Sequence, residues 1–371
     1  MATHDIPKTM QAVLLTGHGG FDKLVVRDDV PVPQPAADAV LIRVGAAAIN
    51  NTDINTRTAW YSKAVAEGTT RAGGTGGFAA ASQDDASWAG KALTFPRIQG
   101  IDVCGTIVGA GADVSPSRIG ERILVEPCLR SPVDWAPYQG WFLGSECDGG
   151  FAEYVAVPAV HAYRIECSLS DVELASFPCA YSTAENMLTR AKLQAGERIL
   201  ITGASGGVGS AAIQLAKRRG AEVLAVTSPA KTDTIKALGA TTIFSRDTDL
   251  TQALGPETID VVVDLVAGPM WPQFLKVLKR GGRYAVAGAI GHPNVELDVR
   301  SLYLKDLSFF GCAILDQDVF PNLINYIAGQ DIHPIVAETF PLSEIVAAQQ
   351  SFLDKGFVGK IVLVPDALWR Q

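Results

Sequence analysis

Residues 202–209, Thr-Gly-Ala-Ser-Gly-Gly-Val-Gly, have the types and spacing that suit dinucleotide binding. Ala204, Gly206 and Gly209 stand where such a loop tolerates little or no side chain, because its backbone must turn tightly and approach a diphosphate. An apolar strand-like run precedes the loop and a helical pattern ending at Gly220 follows it, so the diphosphate would lie at the positive end of a helix. The residues predicted to bind it are Ala204, Ser205, Gly206, Gly207, Val208 and Gly209.

The same loop also spells Gly-x-Ser-x-Gly around Ser205, the pattern of a hydrolase nucleophile elbow. Asp264 follows it, and then His292 and His333, in the chain order that such a triad needs. An oxyanion loop should come from a neighbouring strand, whereas the only similar sequence, at His18, lies about 190 residues before Ser205. Dinucleotide binding is therefore the favoured interpretation, and the hydrolase is the alternative.

The end of the next strand favours NADPH over NADH. NAD-binding domains place an Asp or Glu about 20 residues after the glycines, where it accepts hydrogen bonds from the ribose hydroxyls. Residues 226–231, Val-Thr-Ser-Pro-Ala-Lys, contain no acid. Thr227, Ser228 and Lys231 instead offer hydroxyl donors and a cation that would suit a 2′-phosphate. We predict NADPH as the cofactor, and the alternative is that Lys231 is a solvated lysine of a first helical turn.

Composition and charge narrow the class of protein further. Of the 371 residues, 48% are hydrophobic and 19% are charged, as in globular proteins with a large core. The net charge of −8 disfavours nucleic acid and anionic membranes as partners, because both need a cationic surface. No apolar run approaches 18 residues, no signal-peptide pattern opens the chain, and six scattered cysteines form no Cys-x-x-Cys pair. We expect a cytoplasmic protein that acts on a small molecule.

Two patterns divide the chain. Residues 10–60 carry short β-branched runs separated by glycine and proline turns. From about residue 170, where Ser170 and Glu173 form a capping box, strands and helices alternate, which predicts a parallel sheet covered on both faces. Residues 62–94 fit neither pattern, since 72–82 are small and without periodicity. This segment is predicted to be a loop, either a lid over a substrate or a plain solvent loop.

Several further motifs run nearly from end to end and together resemble the medium-chain dehydrogenase/reductase superfamily, of the zinc-independent quinone oxidoreductase type. They are Asn-Asn-Thr-Asp-Ile-Asn-Thr-Arg at 50–57 with Tyr61, Gly-Ile-Asp-Val-Cys-Gly-Thr-Ile-Val at 100–108, Gly-Gly-Phe-Ala-Glu-Tyr-Val at 149–155, Cys-Ala-Tyr-Ser-Thr at 179–183, Val-Ala-Gly at 286–288 and Phe-Val-Gly-Lys-Ile-Val-Leu at 357–363.

The resemblance implies an α/β fold of two domains with the active site in the cleft between them. A GroES-like, β-rich catalytic domain would comprise residues 1–165 and 311–371. A Rossmann domain, a doubly wound parallel sheet that binds the nucleotide, would comprise residues 166–310. A homodimer would form through the edge of that sheet, near residues 307–315.

The zinc-dependent alcohol dehydrogenases of the same superfamily bind their catalytic metal at positions that fall here on Asn50, Ile101 and Cys179. A catalytic zinc needs about three protein ligands, and an isoleucine has no lone pair to offer. The structural zinc of those enzymes needs four cysteines, whereas residues 121–150 contain Cys128 and Cys147 only. We therefore predict no metal site. Cys179 is expected to be a small buried thiol, with a reactive thiol as the alternative.

The activity implied is hydride transfer from NADPH to quinones or α,β-unsaturated carbonyl compounds, whose charge delocalises without a metal. Tyr61 would donate a proton or bind the oxyanion, and Asn50 and Thr52 would line the substrate. Asp53 and Arg57 would form a structural ion pair. Coenzyme contacts are further expected for Tyr181, Thr183, Gly288 and Lys360. The alternatives are a metal-free alcohol or aldehyde dehydrogenase and a crystallin-like NADPH-binding protein with little turnover.

Overall fold

A computed structural model describes residues 6–369. Its strands are β1 (Thr9–Leu15), β2 (Leu24–Pro31), β3 (Ala39–Ala48), β4 (Arg97–Ile98), β5 (Cys104–Ala110), β6 (Arg122–Val125), β7 (Cys128–Leu129), β8 (Trp141–Phe142), β9 (Tyr154–Pro158), β10 (Ala162–Arg164), β11 (Arg198–Ile201), β12 (Glu222–Val226), β13 (Thr242–Phe244), β14 (Ile259–Asp264), β15 (Leu278–Val286), β16 (Ser308–Gly311), β17 (Val336–Pro341) and β18 (Lys360–Val364). Its α-helices are α1 (Asn51–Arg57), α2 (Arg71–Gly76), α3 (Asp171–Ala175), α4 (Pro178–Arg190), α5 (Gly207–Arg218), α6 (Thr232–Leu238), α7 (Leu250–Leu254), α8 (Trp271–Val277), α9 (Val299–Leu304), α10 (Val319–Ala328), α11 (Ile345–Asp354) and α12 (Asp366–Trp369).

The β-rich part is built on a seven-stranded sheet in the order β10-β6-β5-β3-β18-β17, with β9 also paired to β3. Strand β3 is central because its run of small and β-branched residues can be buried on both faces, and eight of its ten residues are buried. Strand β18 pairs with β3 through Val362 and Ala48, so the end of the chain returns to the sheet of the first part. A second sheet, β2-β1-β4, packs on the same core.

The second part is a six-stranded sheet in the order β13-β12-β11-β14-β15-β16, with every neighbouring pair parallel. Successive residues of β11 point to opposite faces. Ile199 and Ile201 pack with α4, α5 and α10, while Leu200 packs with α7 and α8. The predicted doubly wound Rossmann domain is confirmed, and the strand order reverses between β11 and β14, where ligands of such sheets bind.

Capping residues define the start of α3 and the end of α5. The Ser170 hydroxyl accepts a hydrogen bond from the Glu173 N–H at 3.3 Å, and the Ser170 N–H donates to Glu173 Oε2 at 2.8 Å, which is the predicted capping box. Helix α5 begins at Gly207, two residues earlier than its sequence pattern indicates, and ends before Gly220, whose φ is +78°. Such a positive φ favours glycine, so the predicted helix end is confirmed.

The insertion 62–94 folds onto the β-rich part and contains the short helix α2, which the lack of periodicity did not indicate. Arg57 holds it in place. Its guanidinium is fully buried and donates to the carbonyl oxygens of Gly19 and Gly74 and to Gln349. Burial lowers the pKa of Arg57 to about 10. The predicted ion pair with Asp53 is wrong, because α1 directs the two side chains to different partners.

The insertion also reaches the nucleotide-binding part. The Thr69 N–H donates to the Ile290 carbonyl oxygen at 3.0 Å, on the loop that follows β15. Trp88, farther along the insertion, stacks between Tyr61 and Phe142, with ring centroids 5.9 and 4.0 Å apart. The segment therefore spans from one part of the molecule to the other and brings an aromatic ring beside Tyr61.

Two further findings concern the described part of the chain. No helix between residues 6 and 369 has the length and apolarity needed to cross a membrane. All six cysteines lie in this range and are free thiols.

Candidate active site

A buried polar cluster joins four separate segments of the chain. Asp102, from the loop after β4, accepts hydrogen bonds from Asn50 Nδ2 at 2.8 Å and from the Cys179 N–H at 2.6 Å. Lys360, the first residue of β18, places its ammonium 2.9 Å from Asp102 and also donates to Asn50 Oδ1. Asp102 is 0% exposed and Lys360 is 3% exposed, so both charges depend on these partners.

Two hydroxyls lie beside this cluster. The Tyr61 hydroxyl lies beside the side chains of Thr52 and Asn55, both carried by α1. Burial raises the pKa of Tyr61 to about 12, so the phenol keeps its proton at neutral pH. Cys179 also lies near this phenol. Tyr61 and Thr52, which sequence analysis placed at the reacting end, are therefore brought together.

Two ionisable groups near the cluster have pKa values shifted by burial. Burial and then the charge of Asp102 raise the pKa of the Cys179 thiol well above its usual range, so that it is not a thiolate. Burial raises the pKa of Asp53 to about 7, although the Asn50 N–H donates to its carboxylate at 2.7 Å. The expectation of a small buried thiol fits the 7% exposure of Cys179.

The donor set at this position does not fit a zinc ion. The Asn50 carbonyl oxygen faces the Lys360 ammonium, Ile101 offers no donor atom, and Cys179 is held as a neutral thiol. A zinc ligand must present a free lone pair, and an ammonium in the same space repels a cation. Among residues 6–369 no three His, Cys, Asp or Glu side chains gather as a potential metal site.

The glycine loop lies directly across from the cluster. The Gly359 N–H donates to the Ser205 carbonyl oxygen at 3.1 Å, and a Cβ built on Gly207 would lie 2.7 Å from Lys360 Cδ. A Cβ on Gly209 would lie 2.3 Å from the Gly203 carbonyl oxygen, so the turn itself requires glycine there. On Gly206 a Cβ would have no protein atom closer than 3.5 Å, because that side of the loop is open.

This geometry fits a dinucleotide diphosphate. Helix α5 has twelve residues, and the N–H groups of its first turn have no partners within the helix. They point into the open side of the loop, where the helix dipole favours an anion. The Ser205 hydroxyl lies 3.4 Å from Lys231 Nζ, and none of the hydrogen bonds in the described part of the chain joins it to a histidine. The geometry therefore lacks the base that the hydrolase alternative needs.

A cavity of about 400 Å³ opens at the carboxyl ends of β12 and β13. Thr227 lines it, and its Oγ1 is buried without a hydrogen-bond partner among the described residues. Lys231 lies nearby and donates to the carbonyl oxygens of Lys355 and Phe357. Burial and then the charge of Arg246 lower the pKa of Lys231. Two neighbouring cations on the loops that follow β12 and β13, together with the unpartnered hydroxyl at the end of β12, suit the phosphate end of a nucleotide.

The remaining predicted coenzyme residues lie on α4, on α5 and on the loops that follow β12 and β15. Ser228 follows β12, Val208 is in the first turn of α5, Thr183 lies beside Cys179 on α4, and Gly288 follows β15. Tyr181 is 2% exposed, and its hydroxyl donates to the His333 carbonyl oxygen, so its side chain points into the core.

Two residues of the site, Asp102 and Arg246, were not among those predicted from the sequence. Asp102 directly follows Ile101, which stands at a metal-ligand position of the zinc-dependent enzymes. Because a buried acid without a metal needs another cation as its partner, this position could have indicated the need for one. Arg246 follows β13, whose carboxyl end adjoins that of β12, and this neighbourhood is visible only in the folded sheet.

Comparison with known proteins agrees with both parts of the structure. Residues 36–166 match the family model described as alcohol dehydrogenase GroES-like domain, and residues 207–329 match that of zinc-binding dehydrogenase. The predicted GroES-like domain is thereby confirmed. The second description names zinc, although the residues at the catalytic-metal position do not fit it.

Full-length relatives were also found. The chain is 45% identical to a Sinorhizobium meliloti 1021 protein of known structure assigned as an alcohol dehydrogenase, with a TM-score of 0.87 and 98% of each chain covered. It is 29% identical to the acryloyl-coenzyme A reductase of Metallosphaera sedula, over 95% of this chain and 99% of the relative. It is 28% identical to the chloroplastic NADPH-dependent alkenal/one oxidoreductase of Arabidopsis thaliana, over 98% of this chain and 82% of the relative. Other relatives are named quinone oxidoreductase.

Proposed function

We propose that this chain, which belongs to the quinone and enone reductase-like members of the medium-chain dehydrogenase/reductase superfamily, reduces quinones or α,β-unsaturated carbonyl compounds with NADPH. The observation that carries the proposal is the position of Lys360. Its stem lies against Gly207 of the coenzyme loop, and its ammonium contacts Asn50 at the start of α1. The glycine loop (residues 202–209), also called the coenzyme loop, and the hydroxyls of α1 are thus separated by about the length of one side chain.

The glycine loop and the loop that follows β12 would hold NADPH, and the coenzyme would supply a hydride. The protein aligns an activated carbon of the substrate with it and holds the oxygen on which charge develops. Tyr61, protonated at neutral pH, donates a hydrogen bond or a proton to that oxygen, and the Thr52 hydroxyl supports the phenol. These donors suit an enolate or a phenolate, whose charge is delocalised. The alkoxide of a plain ketone would need the stronger stabilisation that a metal provides.

The surroundings of Tyr61 favour flat, apolar substrates. Trp88 and Phe142 stack at an interplanar angle of 6°, and Trp88 stacks in turn against Tyr61. Since Trp88 comes from the insertion, we assign residues 62–94 to the substrate mouth as a lid. An aromatic wall of this kind gains contact energy from planar rings and conjugated chains.

The coenzyme would be bound by the residues that surround the cleft on the side of α5. Backbone N–H groups of the glycine loop would hold the diphosphate, while Thr227, Ser228 and Lys231 would hold the 2′-phosphate end. Thr183 and Gly288 would lie near the nicotinamide, and the stem of Lys360 would support the glycine loop. The unpartnered Thr227 hydroxyl supports this assignment.

The direct test is a panel of quinones, enones, aldehydes and alcohols with NADP(H) and NAD(H). We expect NADPH oxidation with conjugated acceptors at a kcat/KM at least 100-fold higher than with matched saturated ketones or aldehydes. Oxidation of simple alcohols as the best reaction would support the dehydrogenase alternative, which the Sinorhizobium meliloti relative favours. Tight NADPH binding with no acceptor turned over would support the coenzyme-binding protein instead.

Replacement of Lys231 tests the coenzyme preference. We expect Lys231→Ala to raise the KM for NADPH about 10- to 30-fold and to leave the KM for NADH within threefold, because only the 2′-phosphate loses a charged partner. Steady-state kinetics with both coenzymes measures this. Lys276→Ala, an exposed lysine on α8, is the matched control and should change neither value. Equal losses for the two coenzymes would place Lys231 elsewhere than at the 2′-phosphate.

We further propose a cytoplasmic homodimer. Strand β16 is the edge of the parallel sheet, and α9 beside it exposes Val299, Tyr303 and Leu304 at 57–60%. An open edge with an apolar rim is suited to pairing with a second copy. The free state of all six thiols supports a reducing compartment. Sedimentation equilibrium should give the mass of two chains, and a monomer at micromolar concentration would refute the dimer.

A further inference from the structure

The cluster of Asn50, Asp102, Cys179 and Lys360 uses nearly all of its hydrogen-bonding capacity on itself. Asp102 Oδ1 accepts from the Cys179 N–H, and Asp102 Oδ2 accepts from both Asn50 and Lys360. The second donor hydrogen of Asn50 goes to the Ala48 carbonyl oxygen at 3.3 Å. Asn50 and Lys360 therefore have little capacity left for a substrate or a phosphate, although both border the cleft.

Stability alone does not account for such a cluster. Taking a carboxylate and an ammonium out of water costs several kcal/mol each, and a buried ion pair repays this only when its geometry is very good. Replacing the pair by uncharged groups of similar size is often neutral or stabilising. What the pair does provide is a fixed distance and direction between the segments that carry it.

The segments joined are those that must be aligned for the reaction. Asn50 precedes α1, which carries Thr52 and Asn55, the side chains beside the Tyr61 hydroxyl. Lys360 begins β18, and its stem lies against Gly207 at the start of α5. A shift of the Lys360 ammonium would thus move α1 relative to the coenzyme loop, and an error of about 1 Å in such alignment can cost about 100-fold in rate.

We propose that Lys360, paired with Asp102, is a positioning residue that cross-links α1, α4 and β18 at the place where zinc-dependent relatives hold their metal, and keeps the Tyr61–Thr52 hydroxyls in register with the coenzyme loop. The inference rests on the proposed function. In this proposal the Lys360 ammonium positions α1, and only the stem of the Lys360 side chain contacts the coenzyme.

The experiment compares Lys360→Met with the double variant Lys360→Met/Asp102→Asn. The single variant leaves Asp102 buried without its cation, so we expect a large loss of thermal stability, and the double variant should regain most of it. In the folded double variant we expect kcat with a conjugated acceptor to fall about 30-fold, while the NADPH Kd from fluorescence titration stays within threefold. The kinetic isotope effect on kcat with 4-deuterated NADPH should rise as hydride transfer becomes slower.

Lys279→Met/Asp260→Asn is the matched control. This Lys–Asp pair, 2.8 Å apart, lies at the amino end of β14, away from the coenzyme edge of the sheet. Its kcat and its NADPH Kd should remain at wild-type values. A wild-type kcat in the folded Lys360→Met/Asp102→Asn variant would make the cluster purely structural. A tenfold weaker NADPH Kd in that variant would make the ammonium a coenzyme ligand.

A readout independent of turnover separates this inference from the proposed function. Hydrogen–deuterium exchange of residues 51–57 should be at least tenfold faster in the folded double variant, because α1 loses its anchor at Asn50. Unchanged exchange would overturn the positioning role even if the enzyme is active. If the wild-type protein reduces no acceptor, the proposed function fails, and faster exchange in α1 would still support the cross-link.

Discussion

Gly206→Val is expected to abolish coenzyme binding without unfolding the protein. Gly206 has φ −75° and ψ 171°, which valine adopts readily, and a Cβ there would meet no protein atom within 3.5 Å. The added methyl groups would instead occupy the open side of the glycine loop, where the N–H groups of the first turn of α5 would bind the diphosphate. We expect the NADPH Kd to rise more than 100-fold, equivalent to about 2.7 kcal/mol.

Titration of NADPH fluorescence measures the affinity, and circular dichroism melting of the coenzyme-free protein measures stability. Gly206→Ala should give an intermediate Kd, since its methyl group extends less far. Gly209→Ala is the contrasting variant. Its Cβ would lie 2.3 Å from the Gly203 carbonyl oxygen, so it should lower the melting temperature as well. A folded Gly206→Val protein that binds NADPH as tightly as the wild type would show that the diphosphate lies elsewhere.

Local sequence patterns predicted the nucleotide-binding part well because its determinants are local. The glycine loop, the Ser170 capping box and the helix end at Gly220 each depend on residues within a few positions of one another. Alternating apolar runs then give a parallel sheet with little ambiguity. The position of the β18 tail followed from family resemblance, since no local pattern joins Val362 to Ala48.

The polar cluster and the insertion could not be predicted in this way. Asp102 and Lys360 are 258 residues apart, and each is unremarkable in its own segment. Their pairing follows from the packing of β18 against β3 and the closeness of the Gly100 loop to α1. Helix α2 likewise depends on tertiary contacts, because its carbonyl oxygen at Gly74 is held by Arg57. Long-range polar contacts of this kind leave no periodicity in the sequence.

Tyr61→Phe is expected to lower kcat with an enone about 100-fold and to leave the NADPH Kd unchanged. The substitution removes the hydroxyl that lies beside Thr52 and Asn55 and keeps the ring that stacks on Trp88. Loss of a general acid typically costs between 100- and 10,000-fold. Since burial raises the pKa of Tyr61 to about 12, its proton is present throughout the neutral range, and this group should impose no loss of rate between pH 6 and about pH 10.

The choice of acceptor sharpens this test of Tyr61. Reduction of a quinone produces a phenolate, which is a weaker base than the enolate from an enone and depends less on a proton donor. Tyr61→Phe should therefore lose less activity with a quinone than with an enone, roughly tenfold against 100-fold. Tyr138→Phe is the matched control, because Tyr138 is 80% exposed and lies in the loop between β7 and β8. Unchanged enone turnover in a stable Tyr61→Phe protein would remove Tyr61 from the mechanism and leave the Thr52 hydroxyl as the proposed donor.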